Sequence, residues 1–237
     1  MLSPRWKNLP HDMSETPKRL EDINALNKKA YDAVAEEYEA RKPLYMKNDP
    51  EIVDGFSAAL DEGFPNTEHG QLSILDVGVG SGLNLGMFAR KLYKTYGIDL
   101  SDRMIEGAKR ESPQSLYYHG DFLGFDFRRK FHGIMEKAFI HLFPEGIAKQ
   151  ILEKTADILE DNGVFFIATT RHETSTEGVK TKDDFSDKVQ RYRKEWTREE
   201  FRQFLGSIKG LKIIQESDMT DALGKPWMNF LFRKITE

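Results

Sequence analysis

Three aspartates, Asp76, Asp99 and Asp121, each stand at or just beyond the end of a short apolar or aromatic run, and three alternate glycines, Gly78, Gly80 and Gly82, follow the first. Glycine has no Cβ, so backbone N–H groups in such a turn can come against a ligand, and a helix beginning beyond it adds the positive end of its dipole. The spacing decides between ligands. A dinucleotide fingerprint has two residues before its third glycine, whereas only Ser81 lies between Gly80 and Gly82. Asp76 would repel a pyrophosphate and would suit a ligand with an ammonium group and a sulfonium centre. Asp99 follows Gly82 by 17 positions, close to the spacing of an acid that takes hydrogen bonds from a ribose diol.

Two further residues could move protons. Glu136 closes the apolar run Phe131–Ala138. At the carboxyl end of a parallel strand it would bind a cationic group or accept a proton; its plain structural role would be to pair with Lys137. His141, shortly after, can deprotonate a hydroxyl or amine near neutral pH or serve as a donor to a loop carbonyl. His132, at the start of the run, reads as a strand-entry residue.

The elements that position these groups follow from periodicity. Leu72–Val77, Lys94–Ile98, Ser115–His119, Phe131–Ala138 and Val164–Thr169 read as strands, and Leu83–Lys91 as the helix after the glycine turn. Ser101 is placed to cap the helix after the second strand. A helix opens at Pro144 and ends at Asn162-Gly163. Thr197-Arg-Glu-Glu200 is a capping box for the last helix. Leu211–Glu216 and Trp227–Arg233 are joined too closely for a parallel crossover, so the last strand is expected antiparallel. Before the sheet, Glu21–Arg41 and Asp49–Glu62 read as helices and 63–70 as a loop. Residues 1–20, broken by Pro4, Pro10 and Pro17 and carrying Trp6, read as a flexible leader. The stretch 171–195 departs from this rhythm, being long, polar and charged with both signs.

Composition narrows the classes. The chain has 237 residues, 39% hydrophobic and 31% charged, with a formal charge of −4 and no cysteine. A thiol nucleophile, a disulfide framework and thiolate-bound metal are excluded, and no metal site is expected. The acidic balance argues against a dedicated nucleic-acid binder. No long apolar run spans a membrane, no secretory signal opens the chain, and a cytoplasmic protein is expected.

The run Leu75-Asp-Val-Gly-Val-Gly-Ser-Gly82, the run Gly97-Ile-Asp-Leu-Ser-Asp-Arg-Met-Ile105 and the triplet Gly120-Asp-Phe122 resemble, in order, the motifs of the class I S-adenosylmethionine (SAM)-dependent methyltransferases of small-molecule type. The likeness covers about residues 25–235. It implies an α/β, Rossmann-like, seven-stranded, mostly parallel sheet with the last strand antiparallel and helices on both faces. The expected organisation is a lid over 21–70 and a SAM-binding domain over 71–237, with a substrate-site insertion at about 171–196. It implies SAM as cofactor and S-adenosylhomocysteine as product. Asp76 would hold the amino-acid end, Asp99 the ribose, Leu100 and Met104 the faces of the adenine, and Asp121 and Phe122 its edge. Tyr31, Tyr38 and Arg41 on the lid helix would close over the methionine end. Glu136 or His141 would orient or deprotonate the acceptor, with Arg171, His172, Tyr192, Arg193 and Trp196 in the substrate site. The implied reaction is methyl transfer to an O or N nucleophile of a small molecule by a monomer or homodimer. Three alternatives remain: an RNA-modifying enzyme, which predicts a continuous basic face over 180–202 and the N-terminal lysines; a non-catalytic SAM-binding partner subunit; and a dinucleotide-dependent oxidoreductase.

Overall fold

A computed structural model of the chain describes residues 19–45, 48–182 and 184–235. The proline-broken leader and Trp6 lie outside the described residues up to position 18. Near the amino end are α1 (Leu20–Ala40), α2 (Lys42–Tyr45) and α3 (Asp49–Gly63). Then come β1 (Ser73–Val77), α4 (Leu83–Arg90), β2 (Lys94–Asp99), α5 (Asp102–Glu111), β3 (Leu116–His119) and β4 (Phe131–Lys137). They are followed by α6 (Glu145–Ile158), β5 (Leu159–Thr170), a pair β6 (Thr176–Lys182) and β7 (Val189–Glu195), α7 (Arg198–Gly206), β8 (Leu211–Thr220) and β9 (Pro226–Lys234).

Seven of these strands form one sheet in the order β3-β2-β1-β4-β5-β9-β8. The first five run parallel and β9 is antiparallel to both neighbours, as the short final connection requires. β1 is buried along its whole length, as a strand covered on both faces should be. One face packs α6 and α7 through Ile151, Leu152, Phe201 and Phe204. The other packs α3 and α4 through Val53, Phe56, Leu60 and Phe88. The strand order turns back between β1 and β4, and the crevice at the carboxyl ends there is where such sheets bind ligands.

Several local expectations are corrected. α3 packs as a layer helix over most of its length: a Cβ on Gly133 would lie 2.7 Å from the Phe56 ring, so that glycine lets α3 seat against the sheet. Over the crevice lie α1, through Tyr31 and Tyr38, with Leu44 of α2 and Asp49 at the start of α3 at its border. The helix after Pro144 ends at Ile158, and β5 begins at once. Asn162, at φ +65°, and Gly163 form an irregularity in that strand, where its register with β4 shifts between Phe131 and Gly133. The polar stretch after β5 is an antiparallel hairpin, β6 with β7. Among the described residues no helix is long and apolar enough to cross a membrane.

Candidate active site

The glycine turn lies at the carboxyl end of β1. Gly78, Gly80 and Gly82 have φ of +67°, +51° and +77°, a region that costs an L side chain about 1–2 kcal/mol. A Cβ on Gly78 would strike the Phe139 ring at 2.6 Å, and one on Gly82 would strike Ala108 at 2.8 Å. A Cβ on Gly80 would meet only Gly78 O, at 3.9 Å, so the loop is open toward the crevice at Gly80. Gly82 reaches no cavity; it starts α4 and brings it against α5.

Two cavities meet at this loop. The smaller, of about 90 Å³, is lined by Asp99, Leu100, Met104, Asp121 and Phe122. The larger, of about 560 Å³, is lined by Asp76, His141, Arg171, His172 and the hairpin. Tyr31, Tyr38, Gly78, Gly80, Lys137 and Ala138 border both. The smaller cavity brings together the residues assigned from the motifs to ribose and adenine. Asp99 Oδ2 accepts from Gly80 N at 2.9 Å and Oδ1 from Ser101 N at 2.9 Å, so the acid pins the glycine loop to the start of α5. Ser101 caps α5, accepting from Met104 N at 3.1 Å. Asp121 accepts from Asn24 Nδ2 at 3.1 Å and from Gly124 N at 2.8 Å. Burial raises the Asp99 carboxyl above the usual range, against the N–H groups of Ser101, Gly80 and Leu100.

Asp76 borders the larger cavity beside the glycine loop, and its carboxyl makes no hydrogen bond among the described residues. Burial pushes its carboxyl up to about 8, with Lys137 opposing and Asp99 and Asp49 adding. Lys137 is held by Asp49 at the start of α3. The expected pairing of Lys137 with Glu136 is not made.

His141, in a short turn at Ile140–Leu142, is 2% exposed, and its Nδ1 pairs with Thr169 Oγ1 at 3.0 Å. Burial, then the cations Arg193, Arg191 and Lys182 and the neighbouring His172, hold its pKa well below 6.5. The imidazole is therefore neutral at physiological pH and available as a proton acceptor at the cavity wall.

Glu136 is elsewhere. Successive strand residues point to opposite faces, so Lys137 faces the cavity and Glu136 faces α6. There Glu136 Oε1 accepts from Thr155 Oγ1 at 2.6 Å, and Oε2 has no partner. It reaches neither cavity. Burial pushes its carboxyl up to about 7. Unfolded, it would ionise near 4.5, so between those values the folded chain holds one proton more and loses stability as pH rises. Glu136→Gln removes that loss. It is expected to gain about 2–3 kcal/mol over the parent between pH 5 and pH 8, read by urea unfolding at both values, with methyl transfer changed less than about twofold. A loss of activity above tenfold in a folded variant would restore Glu136 to the site.

Strand parity also corrects the insertion. On β7, Arg191, Arg193 and Glu195 border the cavity, while Tyr192 and, just beyond the strand, Trp196 are 1% and 0% exposed in the core against α7. Tyr192 and Trp196 are core residues. Arg171 borders the cavity but its guanidinium donates to Asp218 Oδ2 at 2.9 Å. Arg41 reaches neither cavity. It bonds Glu37 and Asp184 O and lies 4.3 Å over the Phe185 ring, tying α1 to the hairpin loop. Tyr38 stacks on that same ring at 6.0 Å.

Sequence reading missed Asn27, which is 5% exposed. It donates to Leu142 O at 3.0 Å and accepts from Tyr192 N at 2.9 Å, so one amide joins α1, the His141 turn and the hairpin. A polar residue on the apolar stripe of α1 was its signal. Among the described basic residues of 180–202, Lys180, Lys182, Arg191 and Arg193 border the cavity, Lys194 pairs with Glu200, Arg198 and Arg202 pair with Glu216, and Lys188 is exposed; Lys7 and Lys18 lie outside the described residues.

Residues 74–163 match the family model described as a methyltransferase domain. A dTDP-3-amino-3,6-dideoxy-α-D-glucopyranose N,N-dimethyltransferase of Streptomyces fradiae is 30% identical over 97 residues, 40% of this chain and 38% of that protein. The chain is thus aligned over well under half of that relative's length. Among solved structures, a 1,6-didemethyltoxoflavin-N1-methyltransferase of Burkholderia thailandensis, with 1,6-didemethyltoxoflavin and S-adenosylhomocysteine bound, superposes with a TM-score of 0.68. It shares 14% identity and covers 94% of this chain and 93% of that one. A SAM-bound amino pentose methyltransferase of Micromonospora echinaspora superposes at 0.59, with 15% identity over 85% of this chain and 96% of that one. The fold is that of the class I methyltransferases, as the motifs imply.

Proposed function

We propose that this chain, with its methyltransferase domain over residues 74–163, transfers a methyl group from SAM to a nitrogen or oxygen nucleophile of a small molecule. The observation that carries this is the junction of the two cavities at Gly78, Gly80, Tyr31 and Tyr38. One cavity has the acids suited to an adenosine, and the other is roomy and has a neutral histidine in its wall. SAM supplies an already electrophilic methyl group, so the protein's work is to bind, orient and exclude water. Asp99 would take the ribose diol, Asp121 and Phe122 the adenine edge, Leu100 and Met104 its faces, and Asp76 the ammonium. Tyr31 and Tyr38 would cover the junction, and His141 would accept the proton of the acceptor. The relatives' amino-sugar substrates make an amine the first acceptor to try. Basic residues turned into the cavity favour a small molecule over nucleic acid, for a monomer or homodimer acting in the cytoplasm.

The test is a methyl-transfer assay by mass spectrometry, with purified protein, SAM and a panel of amino-sugar nucleotides, simple amines and phenols. Transfer to at least one is expected. His141→Ala is expected to lower kcat about 10²-fold or more while leaving S-adenosylhomocysteine affinity within about threefold. No transfer to any panel member by protein that binds no adenosyl ligand would overturn the reading.

A further inference from the structure

We infer that Arg191 and Arg193 form the seat of an anionic group, a phosphate or a carboxylate, carried by the methyl acceptor. This deepens the reading above and rests on the larger cavity being the acceptor's. Lys180 and Arg191 are direct partners across the hairpin, and Arg193 is opposite Gly178. The cavity side of the hairpin is therefore cationic, and like charges placed opposite one another on a sheet are unfavourable. Evenly neutralised, such a face would need no ligand, but the neutralisation is uneven. Lys180 has Glu195 at 3.4 Å and Lys182 has Asp184 at 2.7 Å. Among the described residues, Arg191 and Arg193 have no carboxylate in ion-pair reach.

Their hydrogen bonds go to neutral oxygens. Arg191 Nη1 donates to Tyr31 Oη at 2.6 Å, and Arg193 Nη2 donates to Thr170 Oγ1. Arg191 Nε is buried with no partner. The remaining acids of the wall are engaged: Asp49 by Lys137, Asp184 by Lys182 and Lys225, and Asp221 by Trp227 Nε1 and the backbone N–H of Leu223 and Lys225. Asp76 borders the cavity beside the glycine loop, and Lys137 is the cation that opposes its burial. The two forks thus keep uncommitted N–H groups at the cavity, and a planar guanidinium matches the two oxygens of a carboxylate or phosphate. Burial and the neighbouring Arg191 pull the Arg193 guanidinium down to about 10, a strain that a bound anion would relieve. The same cations depress His141, so an anion seated between them would also raise the basicity of the proton acceptor beside the acceptor's nucleophile.

The test uses the full chain saturated with S-adenosylhomocysteine, whose affinity is measured first on each sample. It is then titrated calorimetrically with inorganic pyrophosphate, with succinate and, as a charge control, with putrescine. Wild type is expected to bind an anion and not putrescine. Arg191→Gln and Arg193→Gln are expected to weaken that binding at least about tenfold with S-adenosylhomocysteine affinity within about threefold, and Lys149→Gln, on an exposed helix face, to leave both unchanged. Preference for pyrophosphate assigns a phosphorylated acceptor and preference for succinate a carboxylated one. Protein that binds S-adenosylhomocysteine but no anion, or anion binding untouched in both arginine variants, overturns the inference and leaves methyl transfer standing. Anion binding lost in the arginine variants of a protein that binds no S-adenosylhomocysteine keeps the anion seat and removes the methyltransferase reading. Should the variants not fold, phenylglyoxal labelling of wild type decides: pyrophosphate or succinate protects Arg191 and Arg193, or the seat is not there.

Discussion

Replacing Asp99 by alanine is expected to weaken S-adenosylhomocysteine binding by about 100-fold or more. The carboxylate borders the smaller cavity, and each oxygen already accepts one backbone N–H, from Gly80 and from Ser101. Each retains lone-pair capacity for a ribose hydroxyl. Hydrogen bonds to a charged group are worth about 1.5–3 kcal/mol each, and every 1.4 kcal/mol is about tenfold in affinity, so two such bonds exceed 100-fold. The alanine also frees Gly80 N and loosens the loop that must approach the ligand. Asp99→Asn keeps the shape but has one accepting oxygen, so it should fall between the two. Equilibrium dialysis with labelled S-adenosylhomocysteine reads the effect, and thermal unfolding of the same samples checks the fold. Affinity within about threefold of wild type in a folded alanine variant would remove the ribose role from Asp99.

Asp76→Asn is expected to move binding and stability in opposite directions. The buried carboxyl is pushed up to about 8 in the ligand-free chain, against about 3.8 unfolded. Between those values the folded state carries the extra proton, so stability falls as pH rises through the window and the loss is complete above about pH 8. Asparagine has no such loss. The variant should therefore be more stable than wild type at pH 8.5 by several kcal/mol, which at about 2–4 °C per kcal/mol for a chain of this size is on the order of 10 °C in Tm. The ionised carboxylate is also the form that would hold the ammonium of SAM. The variant should thus bind SAM about 10- to 150-fold more weakly, the worth of one charged hydrogen bond. In wild type, SAM affinity should rise as pH climbs toward about 8, with proton uptake by the buffer as the ligand binds, and fall again once the ligand's own α-ammonium deprotonates. A variant that is less stable than wild type at pH 8.5, or that binds SAM equally well, would contradict this account of Asp76.

What could be read from the sequence was what short-range chemistry dictates. The glycine turn, the acids at the ends of β1 and β2, the cap at Ser101 and the reversed last strand each rest on a few neighbouring residues. Positions fixed by parity or by distant partners were not legible in that way. Glu136 and Lys137 are adjacent, and only the side of the sheet each faces decides that the lysine borders the cavity. The hairpin was hidden because its alternation is charged on the cavity side and mixed on the other, so period two carries no hydrophobic signal; reading Val189–Glu195 as a strand would have exchanged Tyr192 for Arg191. Asn27 joins three segments of which two, Leu142 and Tyr192, lie over a hundred positions away, which no local pattern records. That α3 seats on the sheet depends on Gly133 opening room for Phe56, a pairing between positions far apart in the chain.

The most direct measurement is isothermal titration of the purified chain with SAM, S-adenosylhomocysteine and NAD in parallel. The two adenosyl ligands are expected to bind with one-to-one stoichiometry, and NAD not to bind, because Asp76 and the closer glycine spacing disfavour a pyrophosphate at the loop. Binding of NAD alone, or of none of the three to folded protein, would contradict the claim that this crevice is built for SAM.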